Sequence, residues 1–242
     1  MGTINRRDLL KTSLGVSGAL LGGLPYEHRA LLAQLVDRSD YGKVKEPVKG
    51  LQRGKFGKHE ISRLIIGGNL ISGSANAGEL LYQSALMTHY FTTEKILETW
   101  TLAEQNGINT TLMRADPHIM EHYRKFMRER GGELQWIAQS APEQGDPIEN
   151  AKRARDNGAI AIYLHGNVSD NFVKQGKAEE IGRILQGFRA AGLMAGVGAH
   201  LLATIQGSEK AQLDPDFYMF TINRVNYYSS APAEIAAFMH NI

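Results

Sequence analysis

From residue 63 onward the chain alternates short apolar runs rich in β-formers with longer segments of helical periodicity. The apolar runs predict strands over residues 64–66, 108–113, 134–139, 159–164, 193–197 and 217–222. Helices are predicted between them, most clearly over residues 94–105 and 178–190, where apolar side chains fall on one face. Glycines expected to end the preceding helices stand before four strands, at Gly107, Gly132, Gly158 and Gly192. The alternation predicts parallel strands covered by helices.

Six such units fit either a barrel or a doubly wound sheet. A doubly wound nucleotide-binding sheet carries a Gly-rich turn after its first strand, and Gly67-Gly68-Asn69 is too sparse for one. We therefore predict an α/β fold of the (β/α)8 TIM-barrel type. A full barrel has eight units in about 250 residues, so the barrel is expected to be incomplete at the C-terminus. A gene fragment, a truncated reading frame or a partner that completes the barrel would each explain this.

The composition excludes several classes of function. The 242 residues contain 27 Lys and Arg against 25 Asp and Glu, a net charge of +2, so nucleic acid is not an expected partner. No cysteine is present, which removes disulfides, thiolate metal ligands and cysteine nucleophiles. No apolar run reaches the roughly 18 residues of a membrane span, so we expect no stable span after processing.

The N-terminal segment has the pattern of a targeting peptide. Arg6 and Arg7 precede two leucines and Lys11, and a mildly apolar stretch with four glycines follows over residues 14–24. This resembles a twin-arginine (Tat) export signal. The alternative is a basic amphipathic helix, which each glycine would weaken by roughly 1 kcal/mol. The resemblance implies the Tat translocase as a partner and a periplasmic or extracellular location, with Ala33 near the candidate cleavage site.

Three segments follow from these patterns. Residues 1–36 are predicted to be the twin-arginine signal peptide. Residues 37–57 are charged and lack apolar periodicity, so they are predicted to be a linker. Residues 58–242 are predicted to form the truncated barrel domain.

One segment resembles a known family. Residues 53–68 read RGKFGKHEISRLIIGG, which resembles the opening of an aldo/keto reductase as it enters the first barrel strand. Weaker matches are Asn106-Gly107-Ile108-Asn109 before the second strand and Tyr163-Leu164-His165 at the end of the fourth. The resemblance implies a barrel that reduces carbonyls with NADP or NAD, using an Asp, a Tyr, a Lys and a His at the strand ends.

The chain departs from that family at most of these positions. Gln139-Ser140 stands where the third strand would end in the lysine, and the aspartate position falls near Leu112. Only His165 matches, and His200 follows the fifth strand in place of the Ser-Asn pair that holds the nicotinamide. We expect the fold to be shared and the hydride chemistry not to be, so a nicotinamide cofactor is the less favoured expectation.

In a barrel, chemistry is built on the loops after the strands. The polar residues there are rich in neutral hydrogen-bonding groups and imidazoles, which suit a small hydroxyl-rich substrate. We predict His165, His200 and Arg114 as catalytic residues. The predicted substrate-binding residues are Asn69, Gln139, Asn167, Asn223 and Tyr227.

His165 and His200 follow successive strands, so their rings could converge on one ion or one substrate oxygen. A divalent metal held by His165, His200 and Asp116, with Glu143 as a further carboxylate, is one hypothesis. The alternative without metal is that one histidine acts as a general base while Arg114 or Arg224 steadies an enolate or alkoxide. A third possibility is two histidines that only form hydrogen bonds at the barrel rim.

Two further segments carry open alternatives. Residues 73–92 form a long first loop that could act as a lid, or a helix over residues 79–87 could plug the barrel. Tyr227 and Tyr228 could stack on a sugar ring or pack beneath the last helix.

Three functions therefore compete. The first is an exported barrel enzyme catalysing isomerisation, epimerisation or lyase cleavage of a carbohydrate-like substrate. The second is an NAD(P)-dependent oxidoreductase with a rearranged site. The third is a non-catalytic binding protein or gene fragment.

Overall fold

The computed structural model describes residues 51–74 and 82–222, all within the unit Val44–Ile242. Two antiparallel strands, β1 (Arg53–Phe56) and β2 (His59–Ser62), form a hairpin. A parallel sheet follows, whose strands are β3 (Ile66–Gly67), β4 (Thr110–Arg114), β5 (Gln135–Gln139), β6 (Ala159–Leu164), β7 (Met194–Ala199) and β8 (Phe217–Phe220). The helices are α1 (Gln83–Tyr90), α2 (Thr93–Gln105), α3 (Pro117–Glu129), α4 (Pro147–Asp156), α5 (Gly166–Lys174), α6 (Ala178–Ala190) and α7 (Leu202–Lys210).

The parallel sheet is singly wound. Its strands lie side by side in chain order from β3 to β8, and every neighbouring pair is parallel. A doubly wound sheet would reverse its strand order at one point. The described part of the chain therefore forms six strands of an incomplete (β/α) barrel, as the alternation of apolar runs predicted.

Helices pack on one face of this sheet. The outer core, defined as the apolar cluster between helices and sheet, takes helix residues such as Trp100, Phe126 and Phe188 and strand residues such as Trp136 and Ile162. The inner core, on the opposite face, contains strand and hairpin residues, namely Ile137, Ala161 and Tyr163 with Phe56, Leu112, Ile160, Met194 and Phe217 around them. One face covered by helices and one by the sheet's own side chains is the layering of a barrel wall.

The hairpin closes the amino-terminal end of the inner core. The ring of Phe56 meets the ring of Phe217 edge to face at 5.0 Å between centroids. Asn109, just before β4, accepts a hydrogen bond from the backbone N–H of Ser62 (2.7 Å) and donates one to the carbonyl of Glu60 (2.9 Å). These contacts leave the opposite, carboxyl-terminal end of the strands for a functional site.

This hairpin crosses the predicted linker boundary at residue 57. The sequence predicts a linker over residues 53–56 because Arg53, Gly54 and Lys55 are charged or glycine and show no apolar periodicity. They form a strand because their backbone pairs with β2 and Phe56 packs against Phe217. The predicted signal peptide and the linker before residue 51 lie outside the described residues.

The strand and helix predictions are confirmed, with adjusted ends. Helices α2 and α6 match the segments predicted from their apolar stripes. The first strand is displaced, because Leu64 and Ile65 are exposed and pairing begins only at Ile66. The predicted long first loop contains α1, none of whose residues is buried, and residues 75–81 of that loop lie outside the described part.

The glycines before the strands are required for two different reasons. Gly107, Gly158 and Gly192 adopt left-handed φ angles of 82°, 95° and 87° where their helices end, as predicted. Before β5 it is Gly131, with φ 63°, that does so. Gly132 is required for space instead, because a Cβ there would lie 2.1 Å from the ring of Phe126.

Among the described residues, no helix is both long and apolar enough to cross a membrane.

The outer core carries the stability of the fold. Phe188 on α6 is fully buried in it. We expect Phe188→Ala to lower the free energy of unfolding by about 3–5 kcal/mol, because it removes a buried ring and leaves a cavity. Leu102→Ala on the exposed side of α2 is the control and should change it by about 0.5 kcal/mol or less. Urea unfolding of both variants measures the difference, and equal losses would contradict this account of the core.

Candidate functional site

The carboxyl ends of the strands bring together the polar residues that the sequence singled out. Arg114 pairs in register with Gln139, which pairs with Tyr163 on β6. His165 follows β6 directly, and His200 follows β7 directly. Because all six strands are parallel, these residues emerge at the same edge of the sheet. We call this edge the carboxyl edge.

His165 is the N-cap of α5. Its ring Nδ1 accepts a hydrogen bond from the backbone N–H of Asn167 at 3.2 Å, and its own backbone N–H donates to the hydroxyl of Ser140 at 3.0 Å. Burial lowers the pKa of His165, and the nearby charges of Arg114 and His200 lower it further. His165 is therefore neutral at pH 7.

His200 lies against the first turn of the same helix. A Cβ built on Gly166 would sit 2.6 Å from Cε1 of His200, so only glycine allows the ring to lie there. Gly198 allows β7 to lie close to the end of β6, because a Cβ on Gly198 would lie 2.6 Å from the carbonyl oxygen of Leu164. The two glycines allow the ends of β6 and β7 to converge, and they place His200 within electrostatic reach of His165.

Asp170 holds His200 in place. Its Oδ2 lies 2.9 Å from Nδ1 of His200, and the backbone N–H of His200 donates to the same carboxylate at 3.3 Å. The hydroxyl of Thr204 on α7 donates to Oδ1 at 2.6 Å. Burial alone would raise the pKa of Asp170, but the hydrogen bonds from His200 and Thr204 outweigh it, so the pKa is lowered. The carboxylate is ionised at neutral pH.

The sequence prediction missed Asp170. A single aspartate within a short helix is usually an exposed residue, and nothing in its spacing indicates a partner thirty residues away. The available signal was that Asp170 shares a helix face with the small residues Gly166 and Ser169. These three residues form the buried face of α5. An acidic residue on the buried side of a helix needs a partner.

Arg114 is held between two carboxylates. Its Nε lies 3.0 Å from Oδ2 of Asp116, and an Nη donates to Oε2 of Glu143 at 2.6 Å. Burial alone would lower the pKa of Arg114, but the two carboxylates outweigh it and raise it. The pKa of Glu143 is lowered by its backbone N–H and also by Arg114 and His165. Glu143 is itself largely exposed, so its pairing with Arg114 contributes little to stability.

The three residues predicted to hold a metal each contact a different partner. Within the described ranges, no group of three or more His, Asp or Glu side chains is arranged to hold a metal ion. The carboxylate of Asp116 faces Arg114, Nδ1 of His200 faces Asp170, and Nδ1 of His165 faces the backbone of α5. Each proposed ligand is oriented by a different partner, which the sequence did not show.

The remaining predicted residues are more scattered. Gln139 lies at the carboxyl edge and is half-buried, between Arg114 and Tyr163 in register. Asn69 and the side chain of Asn167 are exposed, and Asn167 contributes through its backbone N–H. Asn223 and Tyr227 lie outside the described residues, as do Arg224 and Tyr228.

No family model matches the chain, and no curated protein does. It is similar to a solved structure of a putative deoxyribose-phosphate aldolase from Coccidioides immitis, at 15% identity and a TM-score of 0.45 over 62% of this chain and 63% of that one. It is also similar to 2,3-dimethylmalate lyase, a member of the PEP mutase/isocitrate lyase superfamily, at 15% identity and a TM-score of 0.39 over 64% of this chain and 54% of that one. The matched part of each is less than two thirds of its length.

We expect Glu143→Gln to lower the pKa of His165 further. The carboxylate favours the imidazolium form of His165, and it also offsets the charge of Arg114, which disfavours that form. Titrating the ring Cε1–H resonance of His165 by NMR measures the shift.

Glu180→Gln on α6 is the matched control, because Glu180 pairs with Arg183 on an exposed helix face. It should leave the His165 titration unchanged. A rise in the pKa of His165 in Glu143→Gln would contradict the arrangement of charges described above.

Proposed function

We propose that this protein is an enzyme that catalyses proton transfer on a small polar, carbohydrate-like molecule, in an isomerisation, epimerisation or lyase reaction. His165 and His200 form the proton-transfer pair, and Arg114 steadies negative charge that develops on a substrate oxygen. One observation carries the proposal. Two imidazoles follow adjacent strands at the carboxyl edge, and each is held by a separate hydrogen bond at Nδ1.

The chemistry requires a group that removes a proton from carbon and a group that stabilises the resulting enolate oxygen. Neutral imidazole does both near pH 7, since it has one nitrogen with a lone pair and one that donates. The lowered pKa of His165 keeps that ring neutral. Arg114 adds a fixed positive charge nearby.

The residues that follow the strands supply groups for acid–base chemistry. The residues that directly follow the six described parallel strands are Gly68, Ala115, Ser140, His165, His200 and Thr221. In this set the two imidazoles are the groups that transfer protons near pH 7. Neutral polar groups such as Gln139 and Ser140 at the same edge suit hydroxyls of a substrate.

The second candidate is an NAD(P)-dependent oxidoreductase. The aldo/keto reductase-like opening segment favours it, since residues 53–62 form a hairpin that leads into the first parallel strand. The strand-end residues do not fit carbonyl reduction of that type, because Gln139 stands where the resemblance implies a lysine. Titrating the full chain with NADPH and NADH distinguishes the candidates, since tight binding of either would favour the oxidoreductase. A protein that binds sugars without turnover would be the non-catalytic binding protein.

Proton exchange tests the enzyme directly. Incubating the full chain in D2O with a panel of aldoses and ketoses should replace hydrogen by deuterium at the carbon next to the carbonyl of at least one sugar, observed by NMR. His165→Ala and His200→Ala should each slow this exchange by about 10²-fold or more, because each removes one of the two proton-transfer groups.

His59→Ala is the control for this experiment, since His59 lies on the hairpin at the opposite end of the strands. It should exchange at the wild-type rate. Exchange that survives both edge substitutions would rule out the histidine pair as the catalytic groups.

We also propose that the chain is exported by the Tat translocase to the periplasm or the cell exterior. The support is the Arg6-Arg7 pair followed by a weakly apolar, glycine-containing stretch. Replacing both arginines by lysine should abolish export, because the translocase reads the arginine pair and not its charge alone. Cell fractionation and immunoblotting measure it, with Arg38→Lys as the control. Export of the lysine pair variant at the wild-type level would contradict the proposal.

A further inference from the structure

Helix α5 contacts both histidines of the carboxyl edge, one through a hydrogen-bond donor and the other through an acceptor. Its N-terminal backbone donates a hydrogen bond to Nδ1 of His165. One turn further along, its buried carboxylate Asp170 lies beside Nδ1 of His200. A donor therefore meets one Nδ1 and an acceptor meets the other.

These partners assign the ring protons. A backbone N–H can only donate, so Nδ1 of His165 carries the lone pair and Nε2 carries the hydrogen. An ionised carboxylate can only accept, so Nδ1 of His200 carries a hydrogen, and in the neutral ring Nε2 then carries the lone pair. In the neutral form of both rings, the two histidines are therefore held in opposite tautomers.

We infer that Asp170 is a positioning residue that makes His200 the base of the pair and leaves His165 as the hydrogen-bond donor. This division of roles rests on the proposed function. Nε2 of His200 takes the proton from the substrate carbon next to the carbonyl. The electron pair of that C–H bond forms the C=C bond of the enolate, and the π pair of the carbonyl moves to its oxygen. Nε2–H of His165 donates a hydrogen bond to this enolate oxygen. The proton then returns from the imidazolium of His200 to carbon.

The geometry around Asp170 suits a positioning role. Its side chain is 4% exposed, and its two oxygens accept from the His200 ring, the His200 backbone and the Thr204 hydroxyl. Thr204 is itself fully buried on α7. Gly166 leaves room for the ring on the same helix turn. The carboxylate therefore has one orientation, and the imidazole that it contacts has one as well.

Histidine tautomers are measured directly by long-range ¹H–¹⁵N correlation spectra of the uniformly ¹⁵N-labelled full chain. We expect wild-type His200 to carry its hydrogen on Nδ1 and His165 to carry it on Nε2 at pH 7.5. Asp170→Asn should abolish the Nδ1–H preference of His200, because a carboxamide can donate to Nδ1 as well as accept from it. His165 should keep its hydrogen on Nε2, because its partner at Nδ1 is the unchanged backbone N–H of Asn167.

The same variant should lose catalysis more than binding. If a sugar of the D2O panel exchanges with wild type, Asp170→Asn should slow its exchange by about 10²-fold or more at saturating sugar. Thr204→Val should keep the tautomer of His200 and slow exchange by about tenfold or less, since it removes one hydrogen bond to Oδ1. Asp156→Asn, an exposed carboxylate on α4, is the matched control and should behave as wild type.

Three outcomes separate this inference from the proposed function. An Nε2–H tautomer of wild-type His200 overturns the inference, and this measurement needs no variant to fold. Wild-type exchange rates in Asp170→Asn also overturn it, while leaving the proposed function intact. The expected tautomers with no exchange of any sugar would support the assignment of the ring protons and count against the proposed function.

Discussion

Helices cover one face of the six-stranded sheet, so the other face has to be shielded by the sheet's own curvature and by the hairpin. The inner core achieves this with side chains of neighbouring strands, and Phe56 closes its amino-terminal end against Phe217. The functional site follows from the same sheet, because its parallel strands all have their carboxyl ends at one edge. The hairpin occupies one end of the strands, and the histidines occupy the other.

At that edge, a buried carboxylate is tolerated because its hydrogen bonds are complete. An ionised group in the interior is costly unless donors surround it. Asp170 accepts hydrogen bonds from the ring and backbone of His200 and from Thr204, and these lower its pKa against the effect of burial. The same bonds orient His200. The charge of Arg114 also needs partners. Its guanidinium is only partly buried, and the carboxylates of Asp116 and Glu143 balance its charge.

Much of the fold was predictable from local patterns. The apolar runs and stripes located the strands and helices α2 and α6, and glycines such as Gly158 and Gly192 marked the ends of helices. The errors occurred where a local pattern was ambiguous. Residues 53–56 are polar and read as linker, although their backbone pairs in the hairpin. Gly132 read as a helix end, although it is Gly131 that adopts the left-handed conformation.

The site was predictable only in part. His165, His200 and Arg114 could be placed at the carboxyl edge, because residues that follow parallel strands share an edge whatever their neighbours. Their partners could not be predicted. The sequence suggested that Asp116 and the two imidazoles would share a metal, whereas the folded chain orients Asp116 toward Arg114 and His200 toward Asp170.

The sequence by itself determined the periodicity of the elements, the identity of the residues that end each strand, and the N-terminal pattern of a targeting signal, because each of these depends on residues close together in the chain. Only the tertiary structure decided that Phe56 meets Phe217 and that Asp170 meets His200. Those pairs are separated by many residues, and their contact depends on how closely strands and helices approach. Gly166 and Gly198 permit that approach at the carboxyl edge, and no local pattern reveals it.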